Sequence, residues 1–399
     1  MASPADVVIK NKLGSSIKTR VIRNYWVEGD GSSIDDKVIG AGSSEVFSVK
    51  AKTGHHGELD VQLIRESDRQ VLGTLYIKSI KDPQEGEALR SKIDYWGHNL
   101  QIASYGERHP YGHDRDLRRI TFTLLEAKYS ELHYNEVTMK SSHNSYERNE
   151  SIIQQLKWVT GMPSNDGCGS LEIDVAQSDE GNEWAVSHVG NYNKKYRQLS
   201  QYLSDLTAYS TNNPGHDVVT LHIDLKKVCS DKFPEELDGY IRSRLCMPIY
   251  SPGDIMGDCL SLAEGARKNG WPTVDALKGK IIICLTGAEG FKKIYAETNP
   301  SSRLCFADKG MSVDEAPSGD HRIFFNYEIG QSSRDKWMKT FREAAGRKDA
   351  LTRGYLVNSA DSWYDCLESG ATFIATDRIE NHDWAKVGYQ RFVKKTPLA

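Results

Sequence analysis

The sequence predicts an α/β protein: a (β/α)8 barrel of the TIM type preceded by an N-terminal all-β, sandwich-like domain. Two observations predict this fold class. Short segments that alternate polar and apolar residues fill the first third of the 399 residues. Beyond about residue 133, short apolar segments alternate with stretches in which apolar residues recur at helical spacing.

Residues 1–132 are predicted to form the all-β domain. Turns rich in Gly, Ser and Asp separate its candidate strands, and no helical period interrupts them. The candidates are DVVIKNK, KTRVIRNYWVEG, SEVFSVKAK, GELDVQLIRE, QVLGTLYIK and RRITFTLLEAK. Several short strands with nearby turns are typical of a β-sandwich. The polar stretch from 81 to 116 is predicted to be a long insertion or a pair of irregular loops.

Residues 133–399 are predicted to form the barrel. The eight candidate strands are VTMKS, GSLEIDV, WAVSH, DVVTLHIDL, KIIICLTG, IFFNYE, GYLVNS and TFIATD. Amphipathic segments such as YRQLSQYLSDLTAYS lie between them. Eight strands that alternate with helices match a closed barrel, which typically takes about 250 residues. The alternative is a doubly wound open sheet, but the first strand is not followed by a Gly-rich phosphate loop.

Composition and charge exclude several classes of protein. Hydrophobic residues make up 38% and charged residues 27%, which is typical of a folded globular chain. The net charge of −4 argues against a nucleic-acid partner and against docking on a membrane by bulk charge, although a local patch is still compatible with docking. The longest apolar run, IIICL, is far shorter than the roughly 20 residues that span a bilayer.

The N-terminal sequence and the cysteines bear on localisation. The start, MASPADVVIKNK, lacks the basic and apolar regions of a secretory signal, so we expect a cytoplasmic protein or one exported by a route without a readable signal. Seven cysteines match no zinc spacing. They are predicted to be buried free thiols, with one or two disulfides in the second half as the alternative.

Polar side chains end four successive candidate strands of the barrel. In such barrels the reactive groups lie at the C-terminal ends of the strands and in the loops that follow. Residues i and i+2 of a strand share a face, so neighbouring members of each motif should point together into the barrel mouth. The strand ends carry His143 and Asn144; Glu172 and Asp174; His188; and His222, Asp224 and Lys226. We expect His222, which lies inside its strand, to line the barrel.

Three carboxylates and an amide oxygen that converge at one edge would repel each other, and their burial would cost several kcal/mol without compensation. A hard divalent cation relieves this cost, and an all-oxygen ligand set favours Ca²⁺ or Mg²⁺ over zinc. Histidines beside such an ion are suited to serve as acid and base. Each feature alone has an ordinary explanation, and Lys226 could simply pair with a carboxylate. The coincidence at four strand ends favours a functional site.

The same motifs resemble the phosphoinositide-specific phospholipase C superfamily. There, a Ser-Ser-His-Asn-x-Tyr stretch ends the first barrel strand and a Glu-Leu-Asp stretch ends the second. The matching stretches here are SSHNSY, LEIDV, SHVG and VVTLHIDLK. The later stretches YSPGDIMG, GWPTVDALKGKIIICLTG, IFFNYE and GATFIATD are most similar to the calcium-dependent branch found in microbes. The resemblance covers about residues 133–399 and does not reach the N-terminal domain.

The resemblance implies a phosphodiesterase that cleaves phosphatidylinositol-type lipids at a membrane surface to diacylglycerol and a cyclic inositol phosphate, which water can open in a second step. It implies that His143 is the general base and His188 the general acid. The implied calcium ligands are Asn144, Glu172, Asp174 and Asp224. Asp224 stands where some relatives have Glu, which shortens its reach by one methylene.

Two alternatives to this function stay open in the sequence. The ending DLK also resembles spider-toxin-like phospholipases D, in which the Asp binds Mg²⁺ and the Lys faces phosphate. On that resemblance Lys226 is a substrate-binding residue and the lipid carries choline or ethanolamine. A non-catalytic lectin or membrane-binding protein is the other alternative. Because all candidate site residues follow residue 140, residues 1–132 are predicted to bind a lipid, glycan or protein that targets the barrel.

Overall fold

The structure is a computed structural model, and its contacts divide the chain into two compact units. One unit runs to Tyr129 and the second begins at Ser130. The residues that the structure describes are 5–52, 55–82, 86–96, 100–108, 117–126, 129–157, 167–310, 321–329, 334–380, 385, 387 and 392–395. Because each unit has its own hydrogen-bonded sheet, we describe them separately.

The described part of the first unit contains nine strands. They are β1 (Ala5–Asn11), β2 (Ile17–Tyr25), β3 (Val38–Ile39), β4 (Ser44–Val49), β5 (Gly57–Arg65), β6 (Val71–Asp82), β7 (Gly86–Trp96), β8 (Leu100–Arg108) and β9 (Leu117–Glu126). The hydrogen-bonded order is β3-β2-β5-β6-β7-β9-β1-β4, and β8 also pairs with β9. The pairing of β1 with β9 is parallel and the others are antiparallel. The predicted all-β N-terminal domain is confirmed.

Strict alternation of buried and partly exposed residues accounts for β5 of this unit. In β5, Leu59, Val61 and Leu63 are fully buried while the residues between them are partly exposed. This pattern is typical of a strand with one face on the core and one towards solvent. Each side chain that leaves water adds about 1.5–3 kcal/mol to the free energy of unfolding.

The prediction of loops over 81–116 was wrong for most of that stretch. It holds the end of β6 together with β7 and β8, while 109–116 lie outside the described residues. The sequence of β7, GEALRSKIDYW, mixes polar and apolar residues without strict alternation, so it did not reveal a strand. Pairing along β6 supplies the backbone partners that the composition could not indicate.

The second unit contains a closed barrel of eight parallel strands within the described residues. They are β10 (Val137–Ser142), β11 (Ser170–Gln177), β13 (Val219–Lys227), β14 (Ile281–Gly287), β15 (Phe306–Gly310), β16 (Phe324–Glu328), β17 (Leu351–Tyr355) and β18 (Phe373–Thr376). They pair in this order, and β10 pairs with both β18 and β11, which closes the ring. Two short strands, β12 (Trp184–Val186) and β19 (Phe392–Lys394), are antiparallel additions to β11 and β10. The predicted TIM-type barrel is confirmed.

One predicted barrel strand was wrong. WAVSH supplies only β12, three residues that fold back antiparallel on β11 and take no place in the ring. The missing strand is β15, FADKG, whose charged residues hid it. Its Asp308 is buried because Lys292 lies 2.5 Å away and is buried with it. A buried ion pair of this kind makes a strand look like a polar loop in the sequence.

Eight helices accompany the barrel in the described residues. They are α1 (Ile152–Leu156), α2 (Leu199–Asn212), α3 (Phe233–Arg244), α4 (Pro252–Met256), α5 (Leu262–Asn269), α6 (Glu289–Glu297), α7 (Arg334–Ala345) and α8 (Ala360–Glu368). On α2, Leu199, Leu203 and Leu206 share one face and belong to the same core cluster as Leu171 and Ile223 of the barrel strands. This leaves the alternate positions of those strands to face the barrel interior. None of the described helices is long and apolar enough to cross a bilayer.

All seven cysteines are free thiols. Five of them are buried, and only Cys229 and Cys246 are exposed. The prediction of free thiols therefore holds in the structure, although two of the seven are not buried. No pair forms the alternative disulfides of the second half.

Strand register brings the predicted polar positions to one level of the barrel. In the parallel pair β11–β13, Glu172 lies opposite His222 and Asp174 lies opposite Asp224. Ser141 pairs with Ser170, so the end of β10 reaches the same level. The carboxyl ends of these strands therefore define a single candidate site.

Candidate active site

A cluster of three carboxylates forms the centre of the site. Oxygen atoms of Glu172, Asp174 and Asp224 lie within 4.8 Å of one another. Glu172 and Asp174 are 4% and 1% exposed, and the side chain of Asp224 is 15% exposed. The Oδ1 atoms of Asp174 and Asp224 are buried and have no hydrogen-bond partner in the described structure. Two unsatisfied acceptors in so small a space are the arrangement expected where a cation binds.

The three carboxylates differ in their electrostatic surroundings. Burial and the neighbouring Asp224 carboxylate raise the pKa of Asp174 to about 6. Burial also raises the pKa of Asp224, although Lys226 opposes the shift. Burial acts in the same direction on Glu172, but Arg353, His143 and the backbone N–H of Asn144 together lower its pKa. Of the three, Glu172 is therefore the carboxylate most firmly held in its charged form.

Two positive side chains reach the cluster. The Nη2 atom of Arg353 lies 2.8 Å from Glu172 Oε2, and both side chains are almost fully buried. The Nζ atom of Lys226 lies 3.2 Å from Asp174 Oδ2 and 3.1 Å from Asp224 Oδ2. Three negative and two positive charges leave an excess of one negative charge at the barrel mouth.

His143 follows β10 directly, and a carboxylate fixes its ring. Its Nδ1 lies 2.9 Å from Asp377 Oδ1, and its Nε2 lies 3.9 Å from Glu172 Oε2. Its backbone N–H donates to the carbonyl of Thr376, the last residue of β18. When Nδ1–H donates to Asp377, Nε2 carries the lone pair and faces the acidic cluster.

Asp377 is itself held in place. Asn358 Nδ2 donates to its Oδ2 at 2.6 Å, and Arg148 Nη1 lies 3.3 Å from its Oδ1. Burial alone would raise the pKa of Asp377, but the hydrogen bond and charge of His143, with that of Arg148, lower it. An ionised Asp377 fixes the imidazole and stabilises it when it gains a proton.

Asn144 turns the chain away from the strand. Its backbone has φ 45° and ψ 56°, a left-handed conformation that Asn tolerates better than most residues. Its backbone N–H donates to Glu172 Oε2 at 3.1 Å, and its side-chain Nδ2 donates to Glu147 at 3.4 Å. The turn thereby places the backbone N–H of Asn144 against Glu172 of the cluster.

His188 lies two residues beyond β12 and is linked to the cluster through Asp174. Its Nδ1 is 3.1 Å from Asp174 Oδ2 and 3.1 Å from the hydroxyl of Tyr146. That hydroxyl also donates to Asp174 Oδ2 at 2.9 Å. The side chain of His188 is 56% exposed. With Nδ1 directed at Asp174, its Nε2 is free to face a ligand above the cluster.

Gly287 leaves the space that Asp224 needs. It ends β14 with φ +93°, and a Cβ at this position would overlap Asp224 Oδ1 and the backbone nitrogen of Leu225. We expect Gly287→Ala to displace the Asp224 carboxylate and to weaken calcium binding by about 10-fold, the lower end of the usual loss when support for a ligand is removed. Calorimetric titration checks this value. Gly290→Ala is the matched control, because no atom lies within 4 Å of a Cβ added there, and equal losses in both variants would contradict the argument.

Calcium affinity is expected to fall as the pH drops through about 6. Burial and the Asp224 carboxylate raise the pKa of Asp174 to about 6, so protons compete with the metal for this ligand below that pH. Above it the carboxylate is charged and the competition disappears. Calorimetry on either side of this pH measures the effect. An affinity that stays constant across this range would show that Asp174 does not hold the ion.

The structure places every predicted site residue at the barrel mouth, with His222 as the expected exception. His222 is buried inside the barrel, with its ring edge-on to Phe324 and Phe373 and without a hydrogen-bond partner among the described residues. Burial lowers its pKa well below the usual value. It therefore lines the barrel as a neutral imidazole.

Sequence reasoning did not assign roles to four further residues of the site: Tyr146, Arg353, Asn358 and Asp377. Tyr146 belongs to SSHNSY, and Asn358 and Asp377 follow strand ends that the sequence indicates as NS and TD. The sequence therefore indicated that these residues lie near strand ends, but not which side chains they contact. Arg353 was missed because the predicted strand GYLVNS begins one residue after it, whereas β17 begins at Leu351.

Comparison with known proteins identifies the family. The model of the family described as phosphoinositide phospholipase C, Ca²⁺-dependent, matches residues 183–396. This match covers more than half of the chain, so the protein belongs to the calcium-dependent phosphoinositide phospholipase C family. It is therefore a phosphodiesterase of a calcium-dependent class, as the sequence motifs predicted. A search of curated proteins finds no match.

Two solved structures of one bacterial enzyme have the same fold. The calcium-dependent phosphoinositol-specific phospholipase C of the Gram-negative bacterium Pseudomonas sp., solved with myo-inositol, has a TM-score of 0.53 and 17% identity. Another crystal form of that enzyme has a TM-score of 0.52 and 16% identity, and in both comparisons 67% of this chain covers 96% of that one. The calcium-dependent phosphatidylinositol-specific enzyme of Streptomyces antibioticus has a TM-score of 0.43 and 18% identity, with 63% and 95% of the two chains covered.

Proposed function

We propose that this protein cleaves phosphatidylinositol-type lipids to diacylglycerol and a cyclic inositol phosphate, with His143 and His188 as general base and general acid. One observation carries the proposal. Two histidines flank a single cluster of buried acids, and a carboxylate orients each of them, Asp377 for His143 and Asp174 for His188. The Pseudomonas enzyme of similar fold has been solved with myo-inositol, which supports an inositol headgroup.

The donor set suits calcium. The proposed ligands are Asn144, Glu172, Asp174 and Asp224, all oxygen donors, and Oδ1 of both aspartates has no other partner among the described residues. Bound there, calcium would acidify the attacking hydroxyl and stabilise negative charge on the phosphoryl oxygens. Gly287 makes room for the Asp224 carboxylate, whose side chain is one methylene shorter than that of Glu.

His143 is proposed to start the reaction. Its Nε2 takes the proton of the inositol hydroxyl next to the phosphodiester, and that oxygen forms a bond to phosphorus. Asp377 stabilises the resulting imidazolium through Nδ1–H. Because nucleophile and phosphorus belong to one molecule, the step avoids a bimolecular encounter, an advantage of about 7–11 kcal/mol in well-oriented cases.

His188 is proposed to complete the reaction. Its Nε2–H gives a proton to the diacylglycerol oxygen as the bond from that oxygen to phosphorus breaks. Asp174 and the Tyr146 hydroxyl, both 3.1 Å from Nδ1, hold the ring in this orientation. A water molecule opens the cyclic phosphate in a second step, with the two histidines in reversed roles.

Lys226 is proposed to contact the phosphate. Its side chain is 29% exposed, and it reaches the mouth from the same strand as Asp224. An ammonium group can follow a phosphoryl oxygen as a mobile point charge. The Lys in this position also supports the second candidate, a phospholipase D-like cleavage of a choline or ethanolamine lipid.

A panel of lipids tests the proposed function. Phosphatidylinositol, phosphatidylcholine, phosphatidylethanolamine and sphingomyelin are incubated with the protein and calcium, and the products are identified by mass spectrometry. We expect diacylglycerol and cyclic inositol phosphate from phosphatidylinositol alone, and none from the His143→Ala variant. Release of free choline or ethanolamine would favour the second candidate, and no product from any lipid would leave only a binding function.

The predicted N-terminal domain, residues 1–132, is proposed to hold the barrel on its target surface. Tyr25 and Trp26 are each 54% exposed, and Trp26 stacks on His55 with the ring centres 4.1 Å apart. Aromatic rings with a polar edge suit the boundary between water and lipid. We expect Trp26→Ser to lower cleavage of vesicles but not of a soluble monomeric substrate, with Trp26→Phe close to wild type. Equal loss on both substrates would make the domain merely structural.

A further inference from the structure

Lys226 contacts the acidic cluster, but its ammonium group carries a positive charge and cannot itself be a metal ligand. Its ammonium bridges two of the three clustered carboxylates, at 3.2 Å from Asp174 Oδ2 and 3.1 Å from Asp224 Oδ2. The third carboxylate, Glu172, already has its own cation in Arg353. The side chains of the acidic centre are therefore partly neutralised from within the protein.

The strand is shaped to aim Lys226 at the cluster. Along the β11–β13 ladder, Val175 pairs with Leu225 and Ala176 with Lys227, so Lys226 is the extra residue of a β-bulge. Bulges re-aim a side chain and are frequent next to active sites. Gly190 lies against the same residue, and a Cβ there would come within 3.2 Å of Lys226 Cβ. The glycine of the SHVG motif thus leaves the space in which Lys226 lies.

We propose that Lys226 is a resident cation of the calcium site, which competes with calcium for Asp174 and Asp224 and so sets the calcium concentration that the enzyme requires. This inference rests on the ligands named in the proposed function. It adds a second role for a side chain that was assigned only to substrate.

The charge balance gives the physical reason. With Lys226, three carboxylates and two cations leave a net charge of −1 for an incoming dication; without it, the net charge is −2. Calcium affinity rises with the charge of the ligand set. An ammonium group on the same carboxylates repels the ion if it stays and must break two ion pairs if it leaves. In either case Lys226 makes the free energy of calcium binding less favourable.

The same charge stabilises the protein before calcium binds. Asp174 and Asp224 are neighbours across the ladder, and without Lys226 their buried charges would repel each other uncompensated. Calcium and Lys226 can thus each offset the repulsion between these two carboxylates. Replacing Lys226 with a neutral residue should lower the stability of the metal-free protein and raise its affinity for calcium.

Calorimetric calcium titration and thermal unfolding of the full chain test this inference. Lys226→Met is expected to bind calcium about 10-fold more tightly, a typical coupling between two charged ligands of one site. Its Tm without calcium should fall, and its rise in Tm on adding calcium should exceed that of wild type. Lys226→Gln, which keeps a hydrogen-bond donor, should show the same tighter binding if the Met variant fails to fold. Lys226→Arg, which keeps the charge, should resemble wild type.

Lys227→Met is the matched control. Lys227 is the next residue on the strand and pairs instead with the exposed Asp179 at 2.8 Å. Its loss should leave calcium affinity and Tm unchanged. Equal or weaker calcium binding in the neutral Lys226 variants overturns the inference, even if wild type cleaves phosphatidylinositol. Tighter binding in those variants, with no cleavage by wild type, supports the inference and overturns the proposed function instead.

Discussion

His143→Ala is expected to lower the rate of phosphatidylinositol cleavage by about 10²–10⁴-fold, the usual contribution of a general acid or base. The imidazole carries the lone pair at Nε2 when its Nδ1–H donates to Asp377 Oδ1 at 2.9 Å. Without the imidazole, the attacking hydroxyl loses the group that is proposed to take its proton. Initial rates with saturating calcium measure the loss.

His188→Ala provides the matched comparison, because the two histidines act on different atoms. A loss of similar size is expected with the natural lipid. A substrate with a very good leaving group needs no proton at that oxygen and should partly rescue His188→Ala but not His143→Ala. If the rescue appeared in His143→Ala instead, the two roles would be reversed.

Asp174→Asn is expected to have the second large effect, at least about 10–100-fold weaker calcium binding with a parallel loss of activity. Even indirect support for a metal ligand is worth that much, and here a charged ligand becomes neutral. Asp174 also holds His188, so the rate at saturating calcium should stay below wild type. Chelation with EDTA should abolish wild-type activity, and added calcium should restore it.

Asp179→Asn is the control for this variant. Asp179 is exposed, pairs with Lys227 and accepts a hydrogen bond from the Cys229 thiol, and it contacts no residue of the cluster in the described structure, so Asn at this position should change neither affinity nor rate. Wild-type calcium affinity in Asp174→Asn would remove Asp174 from the ligand set. Full activity of wild type in EDTA would contradict a role for calcium in catalysis.

The chemistry of individual strand ends was predictable from the sequence. Glu172 and Asp174 lie two residues apart on a strand in which Leu171, Ile173 and Val175 alternate with them, so their common direction follows from strand geometry. His143 and Asn144 follow a strand with an apolar start, and the run of polar residues there indicates that the strand ends. Such local patterns place polar groups at the barrel mouth without knowledge of the contacts between strands.

The contacts that complete the site were not predictable. His143 meets Asp377 across 234 positions of the sequence, and Glu172 meets Arg353 from the opposite side of the barrel. No local pattern encodes such a pair, because closure of the ring brings the residues together. The bulge that aims Lys226 is a property of the ladder between two strands and likewise leaves no signature in either strand.

The prediction of barrel strands was wrong where the polarity of a segment does not match its place in the structure. WAVSH is apolar and reads as a barrel strand, yet it is a short antiparallel addition to β11. FADKG reads as a loop because Asp308 is charged, yet the buried ion pair with Lys292 lets it complete the ring. The count of eight strands was right although one member was wrong, because the two errors compensate.

The most direct test of the central claim is the first product released from phosphatidylinositol in ¹⁸O-labelled water, followed by ³¹P NMR and mass spectrometry. Attack by the inositol hydroxyl with His143 as base predicts that cyclic inositol phosphate appears first and carries no label. It also predicts that label enters only when the ring opens. A labelled, non-cyclic inositol phosphate as the first product would show that water attacks the phosphodiester directly, and would contradict this account.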